Sequence, residues 1–111
     1  MTRAEFDRKY HYVFDESIIW QYIYNKRKEL AEVIIDIAAH ISSKYDGDVA
    51  FRPTAYTPHD FKHHIIGVIK NADDLLINTF RDFDVEDLFC FLLSCVLHDD
   101  GMIHYPDETR N

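Results

Sequence analysis

The residues with the clearest chemical potential are His98, Asp99 and Asp100, which follow an apolar run and precede Gly101 and Met102. Neighbours in sequence cannot lie one above the other on a regular helix, so a His-Asp pair that serves one ion is expected at a helix end. Gly101 permits the left-handed conformation that commonly terminates a helix. The predicted order is therefore a helix, a pair of metal ligands and a turn.

The charges of this segment also favour a cation. Asp99 and Asp100 add two negative charges beside His98, at the end of a helix whose dipole is already negative. That arrangement is costly unless a bound cation, a basic side chain or good solvation offsets it. We interpret the pair His98-Asp99 as a candidate site for a divalent metal ion.

A second histidine is predicted on a neighbouring helix that begins near Thr57 to His59. Its core-facing positions share three- and four-residue spacings and include Phe61, His64, Ile65, Val68, Ala72, Leu75, Leu76 and Thr79. An imidazole that faces a core needs a hydrogen bond, a metal ion or both. Two inward-facing histidines on adjacent helices, one of them followed by a carboxylate, are suited to a metal site.

Cysteine does not fit a metal site in this sequence. A rival zinc site would combine His59, His63 and His64 with Cys90 or Cys95, but the thiols lie mid-helix without a chelating spacing. Cys90 and Cys95 are instead predicted to be reduced core thiols of a cytosolic protein.

Composition predicts one ordered helical domain over residues 1–111. The chain is 47% apolar and has only three glycines and three prolines. Twelve basic against twenty acidic residues give a net charge of −8, which disfavours stable binding to nucleic acid. Neither a signal segment nor an apolar run long enough to cross a membrane is found, so a cytoplasmic location without membrane contact is expected.

The remaining elements would position this site. Residues 1–14 fit a short helix or an ordered arm, and a helical stripe then runs from an N-cap at Asp15 or Ser17 to Ile41. Its polar stretch at 25–29 leaves one long helix or two consecutive helices open. Residues 49–58 contain two prolines and predict an extended connector.

The last predicted helix begins with Asp84 as N-cap, supported by Asp87, and runs through His98. It is apolar nearly all round, which is typical of a helix at the centre of a bundle. Fold class is therefore predicted as all-α, with an N-terminal helical region (1–48), the connector (49–58) and a region that carries the candidate ligands (59–111).

Three motifs together resemble the first half of an HD-domain metal-dependent phosphohydrolase, over roughly half of the chain. They are Tyr56-Thr57-x-His59, His64-Ile65-Ile66-Gly67-Val68 with Asn71 and Leu75-Leu76 behind it, and Leu97-His98-Asp99-x-Gly101-Met102. The chain is most similar to the HD subgroup of bacterial conflict and signalling proteins, some of which are fused to chaperone-type ATPase modules.

The resemblance implies an HD-like helical bundle in which His64, His98 and Asp99 bind a divalent ion that activates water for attack on a phosphoester. His63 is a rival for the first position, shifted by one residue. His64 fits better because Val68, Asn71 and the Leu75-Leu76 pair then fall in register.

Two departures from the family pattern affect the predicted site. The family's later Asp ligand is missing before Asn111 unless Asp107 or a partner chain supplies it, so the bundle is expected to be truncated. Asp100 stands where an aliphatic residue is usual, and Met102 where many members have Lys. Three ligands suit zinc, whereas octahedral metals want more oxygen donors, which leaves Mn, Mg, Fe and Zn open.

Two functions follow. In one, the chain is an HD-type phosphohydrolase, or its N-terminal part, that acts on a nucleotide or another phosphoester, with Asp99 at the metal and Asp100 as a hydrogen-bonding or proton-accepting group. In the other, it is a non-catalytic interaction or regulatory module derived from a degenerate HD domain. An uncovered apolar face on the helix at 84–98 would then bind a protein partner or a second copy, giving a homo-oligomer.

Overall fold

The computed structural model describes residues 2–46 and 61–97, without the side chains of 43–46 and 61–64. Within these ranges the fold is all-helical, as predicted. The α-helices are α1 (Arg3–Asp15), α2 (Ile18–Lys26), α3 (Lys28–Asp46), α4 (Phe61–Leu76) and α5 (Val85–Leu97), and a 3-10 turn at Phe80–Asp82 lies between α4 and α5. The predicted connector at 49–58 and the predicted start of the helix at 57–59 lie outside the described residues.

Residues 3–15 form a helix rather than an arm. A capping box fixes its start: the Thr2 hydroxyl accepts from the Glu5 backbone N–H at 3.1 Å, and the Glu5 carboxylate accepts from the Thr2 N–H at 3.0 Å. These hydrogen bonds hold the pKa of Glu5 below its usual value. The buried face of α1 carries Phe6, Tyr10, Val13 and Phe14.

The helical stripe predicted from Asp15 or Ser17 to Ile41 is two consecutive helices, and the structure selects Ser17 as the N-cap. Ser17 is the N-cap of α2, and its hydroxyl accepts from the Trp20 N–H at 3.1 Å. Arg27 separates α2 from α3 with φ −144° and ψ 82°, values outside the helical region. Its guanidinium donates to Glu29 at 2.6 Å and to Glu86 of α5 at 2.8 Å. The polar stretch offers no apolar face to bury, so the chain can change direction there.

Every helix contributes to one buried cluster. Trp20 is 2% exposed and its indole N–H donates to the Ala31 carbonyl at 3.1 Å, which joins α2 to α3. Arg3 adds a polar link on the outside, since its guanidinium pairs with Asp7 of α1 and with Glu32 and Asp36 of α3. The largest fully buried apolar side chains are Phe6, Phe14, Ile19, Ile23, Ile34, Ile35, Ile65, Leu88, Leu92 and Val96.

The apolar stripe of α4 differs from the predicted one. Ile65, Ile69 and Ala72 are buried, whereas Leu75 is 73% exposed and Thr79 lies beyond the end of the helix. The buried face is centred nearer to Ile69 than the predicted stripe, which leaves Leu75 at its edge.

α5 packs against α2, α3 and α4, as expected of a core helix, but in the part of the chain that the structure describes only one of its sides is buried. Leu88, Leu92 and Val96 are buried, because α2, α3 and α4 cover one side of α5. Cys90 on another side is exposed, so its prediction as a core thiol is wrong, whereas Cys95 is partly buried. No described helix has the length and apolarity needed to span a membrane.

Candidate metal centre

Two helices that pack against each other, α4 and α5, contain or directly precede the predicted ligands: His64 lies in α4, and His98 follows the last described residue of α5. His64 lies in the first turn of α4, but its side chain is outside the described residues. Entirely outside them lie His98, Asp99, Asp100 and the rival ligand His59. Of the rival ligand His63, only the backbone is described. The metal site therefore stays a prediction at the level of side-chain geometry.

The described backbone includes His64 and ends one residue before His98. In α4, Ile65 directly follows His64 and is 1% exposed. In α5, Val96 is 2% exposed and Leu97 is the last described helical residue before His98. A buried apolar residue therefore lies one position after His64 and another lies two positions before His98, whereas Leu97, next to His98, is 38% exposed.

The two helices also present these positions at matched distances from their connection. Leu76, the end of α4, lies twelve positions after His64, and Leu97 lies twelve positions after Val85, the start of α5. At a rise of 1.5 Å per residue, each span is about 18 Å. Residues 77–84 join the helices, and the 3-10 turn within them redirects the chain.

The described residues offer no competing metal site. Within 2–46 and 61–97, no group of three or more His, Cys, Asp or Glu side chains is placed to hold an ion. Burial raises the pKa of the Cys95 thiol, which keeps it protonated at neutral pH and makes it a poor zinc ligand. The histidine-cysteine zinc site considered from the sequence gains no support from this helix.

One buried acid was not singled out in the sequence. Asp73 of α4 is 9% exposed, and its carboxylate accepts hydrogen bonds from the Ser17 hydroxyl at 2.9 Å and from the backbone N–H groups of Ile18 and Ile19 at 3.1 Å each. It therefore caps the N-terminus of α2 from another helix, where the helix dipole favours negative charge. An acid four residues after the buried Ile69, within the apolar stripe, was the available signal.

A cleft of about 280 Å³ opens beside this cap, lined by residues of α1, α2 and α4 that include Ile66, Lys70 and Asp74. The Asp73 carboxylate accepts hydrogen bonds from three donors of the protein itself. A carboxylate whose acceptors are satisfied in this way links α4 to the start of α2. We assign Asp73 a structural role.

The predicted ligands lie within a segment that matches a family model. The HD-CE family model matches residues 53–111, slightly more than half of the chain. The matched range includes α4, α5 and the predicted ligands His64, His98 and Asp99, and excludes α1, α2 and α3. No curated protein and no solved structure gave a significant match.

Proposed function

Since the chain belongs to the HD-CE family, we propose that it is an HD-type metal-dependent phosphohydrolase, or the N-terminal part of one, of the subgroup found in bacterial conflict and signalling proteins. Its substrate would be a nucleotide or another phosphoester. His64, His98 and Asp99 would hold one divalent ion. Two imidazole nitrogens and a carboxylate oxygen suit Zn, Mn or Fe, and Mg would require further oxygen ligands.

The matched spans of α4 and α5 carry this proposal. Two packed helices joined by a short connection generally run in opposite directions, as in an αα-hairpin. Residues about 18 Å from the connection on each helix then lie at the same end of the pair. His64 meets that condition on α4, and His98 follows the residue that meets it on α5. We therefore expect the imidazoles of His64 and His98 to lie close enough to bind one ion.

Each predicted site residue would have its own role in the hydrolysis. A divalent ion bound at this position lowers the pKa of a coordinated water and polarises a phosphoryl oxygen. His64 and His98 would orient the site from two helices, and Asp99 would supply negative charge at the ion. Asp100 would accept a proton from the attacking water or hold a ligand in place by a hydrogen bond. Without a Lys at Met102, neutralisation of the substrate phosphate would fall to the ion.

A second candidate function is a non-catalytic interaction module. It is favoured by a groove at the opposite end of α4 and α5, where apolar side chains are exposed around the connection between the helices. Exposed apolar grooves mark binding surfaces, and this function does not require a complete set of metal ligands.

Metal analysis separates the two functions. The 111-residue chain, purified without chelators and dialysed separately against Zn, Mn, Fe and Mg, is compared with His98→Ala by elemental mass spectrometry. His40→Ala is the matched control, because His40 lies on α3 outside the family match and is exposed. We expect about one ion per chain in the parent and in His40→Ala, and loss of the ion in His98→Ala with unchanged helical circular dichroism.

Phosphate release then tests the chemistry. With the metal that binds, the parent chain is expected to release inorganic phosphate from at least one member of a nucleotide and phosphomonoester panel, and His98→Ala is not. Equal metal content in all three proteins would refute the site. A bound ion without turnover of any phosphoester would refute the hydrolase and leave the interaction module.

A further inference from the structure

An apolar groove of about 270 Å³ lies where α4 ends and α5 begins. We call it the Phe83 groove; its lining residues are Leu76, Phe83, Asp87, Leu88 and Phe91. Leu88 is 1% exposed and forms part of the floor, whereas Phe83 is 44% exposed. The groove thus combines a fixed base with an open aromatic side.

Two further exposed apolar residues lie next to a lining residue in sequence. Leu75 and Ile77, which flank Leu76 in sequence, are 73% and 46% exposed. Isolated exposed apolar residues are common on protein surfaces, but a group of them beside a preformed groove indicates a site that a partner covers. Nothing in the proposed hydrolytic site uses these residues, which lie at the other end of the helix pair.

The surroundings of the Phe83 groove are acidic. Exposed acids between residues 81 and 87 are Asp82, Asp84, Glu86 and Asp87. Arg27 pairs with Glu86, and the cation of this stretch, Arg81, lies 4.5 Å from the centroid of the Phe80 ring. In the described part of the chain, Asp82, Asp84 and Asp87 form no ion pair. The groove therefore opens into a region of net negative charge.

We propose that the Phe83 groove binds an amphipathic helical segment of a partner protein, apolar on the face that enters the groove and rich in Lys or Arg on its flanks. The apolar face would cover Phe83, Leu75 and Ile77. The flanking cations would approach Asp82, Asp84 and Asp87. Apolar anchors with complementary charge at the rim are the usual way in which a helix is recognised by a groove.

The acidic rim of the groove argues against two other occupants, a second copy of this chain and the segments 47–60 and 98–111 of the same chain. A second copy of this chain would bring a like-charged rim against Asp82, Asp84 and Asp87, which is unfavourable. Residues 47–60 contain two acids and one base, and residues 98–111 contain four acids and one base. Neither segment supplies the excess of positive charge that the rim favours.

The test uses the full 111-residue chain and two designed peptides with a fluorescent label. Both peptides are 18-residue amphipathic helices with the same leucine face; one carries Lys on its polar face and the other carries Glu. We expect saturable binding of the Lys peptide by fluorescence anisotropy, and binding of the Glu peptide that is weaker by at least about tenfold. Added salt should weaken binding of the Lys peptide, because the acidic side chains at the rim are exposed and their charges are screened.

Variants locate the binding. Phe83→Ala should lower the affinity for the Lys peptide by about tenfold or more, which is the effect expected of an interface anchor. Asp87→Lys should lower the affinity for the Lys peptide and raise the affinity for the Glu peptide. Tyr12→Ala is the matched control, because Tyr12 is an aromatic residue on α1 that is 41% exposed, close to the 44% of Phe83. It should leave both affinities unchanged, and circular dichroism should show the same helicity in all variants.

Several outcomes would overturn the proposal. These are no binding of the Lys peptide, equal affinity for both peptides, or equal weakening by Phe83→Ala and Tyr12→Ala. A concentration-dependent dimer in sedimentation velocity that Phe83→Ala dissociates would assign the groove to a second copy instead. None of these outcomes bears on metal binding at the other end of α4 and α5, so the proposed hydrolase is tested independently.

Discussion

The carboxylate of Asp73 accepts a hydrogen bond from the hydroxyl of Ser17 at 2.9 Å, across 56 residues of sequence. The same Ser17 oxygen accepts from the Trp20 N–H, and Asp73 also accepts from the first two backbone N–H groups of α2. The start of α2 is therefore completed by a side chain of α4 rather than by local residues alone. This relationship links the N-terminal helices to the segment that matches the HD-CE family.

Replacement of Asp73 by Asn should destabilise the fold. The amide keeps one acceptor oxygen but turns an N–H donor toward groups that are themselves donors, so a buried hydrogen bond to a charged group is lost. We expect the free energy of unfolding to fall by roughly 1.5 to 3 kcal/mol, measured by urea denaturation followed by circular dichroism. The control is Asp74→Asn at the exposed neighbouring position. Equal costs for the two variants would show that the cap contributes nothing.

Arg3 should stabilise the contact between α1 and α3. Burial alone would lower the pKa of its guanidinium, but hydrogen bonds to Glu32, Asp7 and Asp36 raise the pKa above its ordinary value. The Arg3 side chain is 34% exposed, so screening by water limits the effect. Arg3→Ala is expected to lower the free energy of unfolding by roughly 1 kcal/mol, with a smaller loss in high salt.

The matched control for Arg3 is Arg8→Ala, an exposed arginine on the same helix. Thermal unfolding of the three proteins at low and high salt measures both effects. A midpoint for Arg3→Ala equal to that of Arg8→Ala under both conditions would contradict a stabilising role for the Arg3 cluster.

Cys90 and Cys95 should differ in reactivity. Burial raises the pKa of the Cys95 thiol, so less of it is thiolate at pH 8, while Cys90 is exposed. Iodoacetamide should modify Cys90 on the order of ten times faster, as measured by mass spectrometry in the single variants Cys90→Ser and Cys95→Ser. Equal rates in the folded protein would contradict the burial of Cys95.

The same pKa shift has a consequence for stability. The native thiol of Cys95 keeps its proton to a higher pH than the unfolded thiol, so the native state binds more protons in that interval. Stability should therefore fall as the pH rises from about 8.5, the unfolded value, toward the raised native pKa. This loss should be absent in Cys95→Ser when both proteins are unfolded by urea between pH 7 and pH 10.

His64 and His63 can be separated by metal affinity. If His64 is the ligand on α4, His64→Ala should lose the ion, whereas His63→Ala should keep it, because neighbouring helical positions are about 100° apart and cannot both face the site. Isothermal titration with Zn and Mn into the apo-protein measures the difference. Loss of binding in His63→Ala with retention in His64→Ala would transfer the ligand role to His63.

Local signals in the sequence predicted much of the fold. The helical class follows from apolar residues at three- and four-residue spacings, and Ser17 was identifiable as an N-cap from its residue type and position. The polar stretch at 25–29 left one or two helices open, and the choice depends on long-range contacts. Arg27 pairs with Glu86 of α5, a residue 59 positions later, which no local pattern reveals.

Burial was predicted less well, for a related reason. Apolar residues of one helix can be buried on one side and exposed on another, as Leu92 and Leu97 are at 0% and 38% exposure. Which side of α5 is covered depends on where α2, α3 and α4 lie, and the sequence of α5 is apolar on nearly every side. Asp73 was missed because its partner Ser17 lies in another helix. The metal ligands His64, His98 and Asp99 remain a prediction, supported by the family match and by the spans of α4 and α5.

The Asp73 cap has a practical consequence for recombinant work on this protein. A gene fragment cut at the boundary of the family match would encode α4 and α5 but omit the helices whose side chains pack against Ile65, Leu88 and Leu92. Such a product would carry a carboxylate stripped of its donors and an uncovered apolar face, and would be prone to aggregate during expression. Cloning boundaries for this protein are better drawn upstream of α1 than at the edge of the matched segment.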